Sequence, residues 1–260
     1  MRHGAPERQT KDRAPTLSFQ PSTLDPVGGG PSVTLEQNLA AVRERMAAAC
    51  RRAGRPAGSA RLVAVSKTHP GEVVAAVVAL GVDAIGENRV QEAAVKRRHV
   101  PRGTPWHLVG PLQRNKARLA LDTFDLVESV DRIEIADRLE LLLAPENRIL
   151  PVFIEVNIGE EPQKSGVLPE GAEALAGHVL ARCPHLRLGG LMCIPPYDPN
   201  PERSRPHFVR LRELAKRLAP RLGLDQLELS MGMSEDFEVA IEEGADWVRV
   251  GRALFGERGG

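Results

Sequence analysis

The chain has 260 residues with 35 basic and 34 acidic side chains, and its net charge of +1 gives no electrostatic argument for a nucleic-acid or membrane partner. No apolar run reaches the length of a membrane span, and the N-terminus has no signal-peptide core. The three cysteines lack CxxC spacing, which favours a reducing compartment, so we expect a cytoplasmic protein.

Residues 1–33 differ in composition from everything that follows. They contain five prolines, the run Gly28–Gly30 and scattered charges. Because this segment has too little apolar surface to offset the entropy lost on ordering, we predict a disordered N-terminal extension. The folded domain is then predicted to cover 34–260.

The predicted elements begin at Thr34, which forms a capping-box pattern with Gln37. Apolar residues recur at helical spacing as far as Ala49, and Gly54 is placed to end this helix. Short β-branched runs then alternate with longer amphipathic stretches. The predicted strands are 62–66, 83–86, 106–109, 125–129, 151–157, 187–192, 226–230 and 246–250. Helices are predicted near 71–80, 88–98, 113–121, 131–143, 169–182, 203–221, 234–243 and 252–256.

Eight strands, each followed by a helix, predict a single (β/α)8 TIM barrel of the α/β class. A doubly wound sheet shares the alternation but usually stops at five or six strands, so it ranks second. Active sites of barrels lie at the carboxyl ends of the strands and in the loops that follow. Polar residues at those positions are therefore the candidates for function.

Lys67 follows the first predicted strand, in the stretch LVAVSKT at 62–68. Val63, Val65 and Lys67 share one face of that strand, so valines in the barrel interior would direct the amine into the mouth. A partly desolvated lysine there has a lowered pKa and is able to form a Schiff base. On Lys67 alone, a solvated lysine is the favoured interpretation.

Polar residues at other strand ends favour a functional role for Lys67 over a merely solvated lysine. Asn88 follows the second predicted strand, His107 lies on the third, and Glu155 and Asn157 end the fifth. So many polar groups at successive strand ends indicate a pocket rather than chance placement.

The loops after the seventh and eighth predicted strands indicate a phosphate site. The stretch SMGMS contributes the hydroxyls of Ser230 and Ser234, and Gly251 lies where the last helix begins. Many barrels bind phosphate with these two loops and a short helix N-terminus. Ordinary turns that need Gly and Ser for backbone reasons are the less favoured alternative.

A Schiff-base lysine and a phosphate site together point to pyridoxal 5′-phosphate as cofactor. Its ring nitrogen needs a partner, usually Asp or Arg, and Arg249 at the end of the last strand is the best candidate. An arginine stays protonated, so it donates to the ring nitrogen and disfavours a pyridinium. The ring is then a poorer electron sink, which restrains carbanion chemistry.

Several stretches carry a resemblance to a known family. They are AVSKT at 64–68, GENRVQE at 86–92, WHLVGPLQRNK at 106–116, EVNIGEEPQKSGV at 155–167, GLMCI at 190–194, LSMGMSEDFEVAIEEGADWVRVG at 229–251 and ALFG at 253–256. In this order and spacing the chain resembles the YggS/PROSC family of pyridoxal phosphate homeostasis proteins. The resemblance implies a fold-type III barrel similar to the N-terminal domain of alanine racemase.

The resemblance also implies roles for individual residues. Lys67 would hold the cofactor as a Schiff base, with Asn88 beside it and Met192 along the ring. Ser230, Ser234 and Gly251 would hold the phosphate. Arg252 stands where many members have Thr or Ser, so it either binds the phosphate as a cation or points away. The candidate cofactor-binding set is Lys67, Asn88, His107, Met192, Ser230, Ser234, Arg249, Gly251 and Arg252.

Family members are associated with cofactor balance rather than turnover, so we expect a homeostasis protein that is not an enzyme. The alternative is a pyridoxal-phosphate-dependent amino-acid racemase. That reaction needs an acid/base on each face of the cofactor, and the one tyrosine, Tyr197, lies in a Pro-rich loop typical of a surface.

An interaction module with an empty barrel is a third possibility, but it leaves the strand-end polar groups unexplained. Metal ligands are not expected, because the chain has no HExxH and no Cys/His pairs at ligand spacing. The expected partners are pyridoxal phosphate and, as transient clients, apo forms of enzymes that use it. No stripe of exposed apolar residues stands out, which favours a monomer.

Overall fold

The protein is described here from a computed structural model, which covers Met1 and residues 34–256. The predicted disordered extension therefore lies outside the described residues, apart from Met1, and stays a prediction. Within residues 34–256, no helix combines the length and the apolar character needed to cross a membrane.

Eight parallel strands form a closed barrel in sequence order, which confirms the predicted fold class. The strands are β1 (Arg61–Val65), β2 (Ala84–Glu87), β3 (Trp106–Leu108), β4 (Leu126–Val130), β5 (Leu150–Val156), β6 (Leu186–Cys193), β7 (Glu228–Ser230) and β8 (Trp247–Val250). The barrel closes where β1 pairs with β8, with Val63 opposite Arg249. All eight carboxyl ends therefore meet at one end of the barrel, which we call the mouth.

Helices follow each strand, and one more precedes the barrel. They are α1 (Leu35–Arg52), α2 (Gly71–Ala79), α3 (Val90–Lys96), α4 (Ala117–Thr123), α5 (Ile133–Leu143), α6 (Ala172–Arg182), α7 (Arg205–Arg221), α8 (Phe237–Glu242) and α9 (Arg252–Phe255). The predicted capping box at the start of α1 is present, with Thr34 and Gln37 exchanging hydrogen bonds. Helix α8 begins three residues later than predicted, because the side chain of Asp236 accepts from the Met233 N–H and holds a turn there.

Alternating side chains along the strands divide the core into two layers. Leu62 and Ala64 of β1 pack with the helices, whereas Val63 and Val65 belong to a smaller apolar cluster with Met192 inside the barrel. This confirms that the two valines fill the interior. Lys67 lies two residues beyond the end of β1 and lines the pocket at the mouth.

At the opposite end of the barrel, side chains at the starts of β1, β7 and β8 contact one another. The Arg61 guanidinium lies 3.8 Å from the centroid of the Trp247 ring, and Glu228 accepts hydrogen bonds from both side chains.

Candidate functional site

A pocket of about 570 Å³ opens at the mouth of the barrel. Six of the predicted site residues line it: Lys67, Asn88, Ser234, Arg249, Gly251 and Arg252. They come from the ends of β1, β2 and β8 and from the loop after β7, as the barrel fold requires. The fold thus brings together residues that are as much as 185 positions apart in sequence.

Lys67 follows β1 on an unusual piece of backbone. Its side chain is exposed, so the expectation of a partly desolvated amine is wrong for this structure. The next residue, Thr68, has φ of 71°, which is rare for a β-branched residue and costs about 1–3 kcal/mol. The Thr68 N–H donates to Glu92 Oε1 at 2.7 Å, and this bond helps to hold the loop in place.

Behind this loop lies a set of hydrogen-bonded groups that we call the outer network: the buried Ser66, Glu87 and Lys96 and the partly exposed Glu92. Lys96 Nζ lies 2.6 Å from Glu87 Oε1 and 2.7 Å from both Glu92 Oε1 and the Ser66 carbonyl. Burial raises the pKa of the Glu87 carboxyl, against the hydrogen bonds from Lys96 and Ser66. Lys96 binds the Ser66 carbonyl on one side of Lys67, and Glu92 accepts from the Thr68 N–H on the other. The outer network therefore holds the segment that carries Lys67.

Asn88 is positioned by a glycine on the neighbouring loop. A Cβ on Gly110 would lie 2.6 Å from the Asn88 carbonyl oxygen and 2.7 Å from its Cα. Only glycine allows the β3 loop to pack this closely against the residue after β2. Asn88 is half-buried and lines the pocket.

The corner made by the β7 loop and α9 is rich in hydrogen-bond donors. The N–H groups of Gly251 and Ala253 both direct their hydrogens at Ser234 Oγ, at 3.3 and 3.2 Å. Gly232 has φ of 92°, and a Cβ there would lie 2.5 Å from the Ala240 side chain, so this turn requires glycine. Such a corner suits an oxyanion.

Arg252 lines the pocket but is already paired. Its guanidinium lies 2.7 Å from Glu235 Oε1, and about half of the side chain is exposed. The Arg252 cation is thus shared with a carboxylate at the rim.

Beneath the pocket lies a second set of buried charges, the inner network: His107, Glu128, Ser230 and Arg249. Arg249 donates to Ser230 Oγ and to the Cys193 carbonyl, both at 2.7 Å, and is 4% exposed. Glu128 accepts from Ser230 and lies 2.7 Å from His107 Nδ1. Burial raises the pKa of the Glu128 carboxyl, but His107, Arg249 and Ser230 outweigh it and leave the pKa below its ordinary value.

Three predicted site residues are absent from the pocket lining. His107 packs edge-on against Trp247 with ring centroids 4.7 Å apart, Ser230 is bound within the inner network, and Met192 belongs to the interior apolar cluster. All three are buried. Their direct contact with a cofactor stays a prediction.

Tyr197 and Glu155 add details to the pocket that the sequence did not specify. Tyr197, expected on the surface, is 72% exposed but also lines the mouth pocket. A side pocket of about 170 Å³ shares Asn88, Val109 and Ile194 with the main one and contains the Glu155 carboxyl. Glu155 Oε2 is buried and has no hydrogen-bond partner in the structure.

The environment of Glu155 is unfavourable for a carboxylate. Burial raises its pKa to about 7, the charge of Asp131 adds to the increase, and Arg249 opposes it. This carboxyl therefore changes charge near neutral pH. Its position at the end of β5 was visible in the sequence, but its lack of a partner was not.

Comparison with known proteins defines the class of barrel first. A family model described as the N-terminal domain of alanine racemase matches residues 37–259. A pyridoxal phosphate homeostasis protein of Aquifex aeolicus is 44% identical over 223 residues, covering 85% of this chain and 97% of that protein. A protein of the same name from Pseudomonas aeruginosa is 45% identical over 229 residues, covering 86% of this chain and 96% of its own.

A solved structure supports the same assignment. PipY of Synechococcus elongatus, in the structure with pyridoxal phosphate bound, is 34% identical, with a TM-score of 0.74 over 86% of this chain and 100% of that one. The chain belongs to the family of pyridoxal phosphate homeostasis proteins, within the alanine racemase N-terminal domain class. This confirms the resemblance drawn from the sequence motifs.

Proposed function

We propose that this protein binds pyridoxal 5′-phosphate and keeps the intracellular level of that cofactor in balance. The observation that carries the proposal is a single pocket lined by Lys67, Arg249 and the Ser234–Gly251 corner. An amine, a buried guanidinium and an oxyanion corner are the groups that the aldehyde, the ring nitrogen and the phosphate of this cofactor require. The names of the relatives and the PipY structure agree with it.

The donor set fits the cofactor in chemical character. Lys67 would hold it as a Schiff base, and Ser234 with the N–H groups of Gly251 and Ala253 would bind its phosphate. When bound, pyridoxal phosphate supplies an aldehyde that condenses with amines and a ring that withdraws electrons. Asn88 would orient it from the β2 side.

Arg249 supports binding with little turnover. Its guanidinium donates to Ser230 Oγ and to the Cys193 carbonyl, so this cation is fixed in the wall of the pocket. Opposite the ring nitrogen it would keep that nitrogen unprotonated, which weakens electron withdrawal. The inner network thus favours a carrier over a catalyst.

An amino-acid racemase is the second candidate, and the placement of Tyr197 in the pocket lining is the observation that favours it. The Tyr197 side chain is largely exposed, which is a poor setting for a proton-transfer group. We therefore propose little or no turnover. A chiral assay showing a racemase rate that Lys67→Ala abolishes would reverse this conclusion.

The binding proposal is tested by titrating the purified protein with pyridoxal phosphate and following absorbance. We expect saturable 1:1 binding with a Schiff-base band that Lys67→Ala removes. Lys216→Ala is the matched control, because Lys216 is exposed on α7 and pairs with Glu213. No saturable change in the unaltered protein would refute cofactor binding.

We also propose that the protein acts in the cytoplasm as a monomer and that apo enzymes requiring the cofactor are its transient clients. Light scattering behind gel filtration tests the monomer. Mixing the loaded protein with an apo enzyme across a dialysis membrane, and again without one, separates direct transfer from release into solution.

A further inference from the structure

A second cluster of chemically reactive side chains lies far from the mouth pocket. It contains Asp137 of α5, His178 of α6 and Cys183, which caps the carboxyl end of α6. Cys183 comes just before β6 begins, so the cluster is near the end of the barrel opposite the mouth. None of the three side chains lines the mouth pocket or the side pocket.

The three side chains converge on one carboxylate oxygen. Asp137 Oδ1 lies 2.6 Å from His178 Nε2 and 3.9 Å from Cys183 Sγ. One ligand atom from each residue lies within 4.8 Å of the other two. Around a tetrahedral Zn²⁺, bond lengths near 2.0–2.3 Å place neighbouring ligand atoms about 3.4–3.6 Å apart. Small side-chain rotations would therefore bring all three atoms into coordinating range.

The donor types select the kind of cation. A thiolate, an imidazole and a carboxylate suit zinc and related borderline cations, whereas calcium and magnesium prefer oxygen alone. Two of the donors are on helices packed side by side on the barrel, so the backbone holds them in fixed relation. Water would complete the tetrahedron, because the Asp137 side chain is more than half exposed.

Nearby groups define the limits of the site. His185 is two residues beyond Cys183, but its Nδ1 lies 2.7 Å from Glu140 Oε1, so it is already engaged. The Glu140 carboxylate adds negative charge near the thiol, while Arg182 opposes it. Burial first, and then the charges of Asp137 and Glu140, raise the pKa of the Cys183 thiol to about 11. The carboxylates of Asp137 and Glu140 beside the thiol would attract a divalent cation.

We propose that Asp137, His178 and Cys183 form a three-ligand site for a zinc-class divalent cation that links α5 to the end of α6. On binding, the hydrogen bond from His178 Nε2 to Asp137 Oδ1 breaks, the neutral imidazole keeps its proton on Nδ1 and coordinates through Nε2, and the Cys183 proton leaves to solvent as the sulfur bonds to the metal as thiolate. This proposal is independent of cofactor binding at the mouth.

The test is a Co²⁺ titration of the reduced, untagged full chain. We expect a saturable thiolate-to-cobalt charge-transfer band at one equivalent, which one equivalent of Zn²⁺ removes. Cys183→Ser should abolish the band, whereas the matched control Cys50→Ser should retain it, because Cys50 is a buried thiol on α1 outside the cluster. No band, or a band that survives Cys183→Ser, would overturn the proposal.

A second variant keeps the test decisive if Cys183→Ser does not fold. His178 is partly exposed on α6, so His178→Gln should fold and weaken Co²⁺ binding by at least tenfold. Equal affinity in His178→Gln and in the unaltered chain would contradict a site at this position.

Discussion

The inner and outer networks are both largely buried sets of charged and polar groups near the mouth, but they differ in how fully their polar atoms are hydrogen-bonded. In the inner network, Arg249, Glu128, His107 and Ser230 satisfy one another, and no fully buried polar atom of the four lacks a partner. In the outer network, Glu87 Oε1 accepts from Lys96 and Ser66, while Glu87 Oε2 has no partner. The buried polar atoms of the inner network are all hydrogen-bonded, whereas the unpartnered Glu87 oxygen of the outer network lowers the stability of the fold.

The difference matches what each network supports. The inner network fixes the position of the Arg249 guanidinium, and hydrogen bonds to Ser230 and the Cys193 carbonyl are sufficient for this. The outer network holds the loop after β1, including Thr68 in its rare conformation, so it must offset backbone strain. We infer that the lysine loop depends on Lys96, because Lys96 is the shared donor to all three acceptors.

The largest expected effect is from Lys96→Met. Removing the ammonium leaves Glu87 buried without its cation, which should lower the free energy of unfolding by about 3–5 kcal/mol. Urea unfolding measures it, and Lys216→Met on the exposed face of α7 should change the value by less than about 0.5 kcal/mol. Adding Glu87→Gln to Lys96→Met should recover part of the lost stability. A loss below about 1 kcal/mol in Lys96→Met alone would contradict the proposed difference between the two networks.

A change of pH should alter the free energy of unfolding by a similar amount, because Glu155 titrates with a raised pKa. Its pKa is raised from 4.5 to about 7, so the folded protein holds more protons than the unfolded chain between those values. Stability from this group therefore falls by about 3 kcal/mol as pH rises through that window, and the loss persists above it. Urea unfolding at pH 5 and pH 8 should show a smaller decrease in Glu155→Gln. Equal decreases in both proteins would show that Glu155 is solvated or paired.

A smaller effect is expected from Glu128→Gln in the inner network. The amide keeps the shape of the side chain but removes the charge that faces His107 and Arg249, which should cost about 1–3 kcal/mol. Arg249 keeps its bonds to Ser230 and Cys193, so the loss should stay below that of Lys96→Met. The same urea experiment ranks the two variants, and the opposite order would refute the distinction between the networks.

The smallest effect is expected from Arg252→Ser. Because Arg252 is half-exposed and paired with Glu235 at the rim, the change should alter stability by less than about 0.5 kcal/mol. We also expect affinity for pyridoxal phosphate to change by no more than about twofold. A loss of tenfold or more would assign Arg252 to the phosphate site.

The fold and the mouth were largely predictable from sequence. Alternating strands and helices fixed the barrel, and the parity of Val63, Val65 and Lys67 correctly directed the lysine to the mouth. These inferences succeed because strand periodicity and barrel topology are local or repetitive patterns.

The remaining features depend on contacts that no local pattern encodes. Glu128 joins His107 and Ser230 only once β3, β4 and β7 are assembled, and Asp137 meets His178 only where α5 packs against α6. The exposure of Lys67 was also not predictable, because it depends on how the loop after β1 turns at Thr68. Burial and pairing of single side chains are properties of the packed structure.

The proposal that Lys67 carries the cofactor is tested most directly by locating the labelled lysine. The protein is loaded with pyridoxal phosphate, reduced with borohydride, digested and mapped by mass spectrometry across its six lysines. We predict that the reduced pyridoxyl group is found on the peptide containing Lys67 and that Lys67→Ala gives no stoichiometric label elsewhere. A label distributed over several lysines, or unchanged in Lys67→Ala, would contradict the assignment.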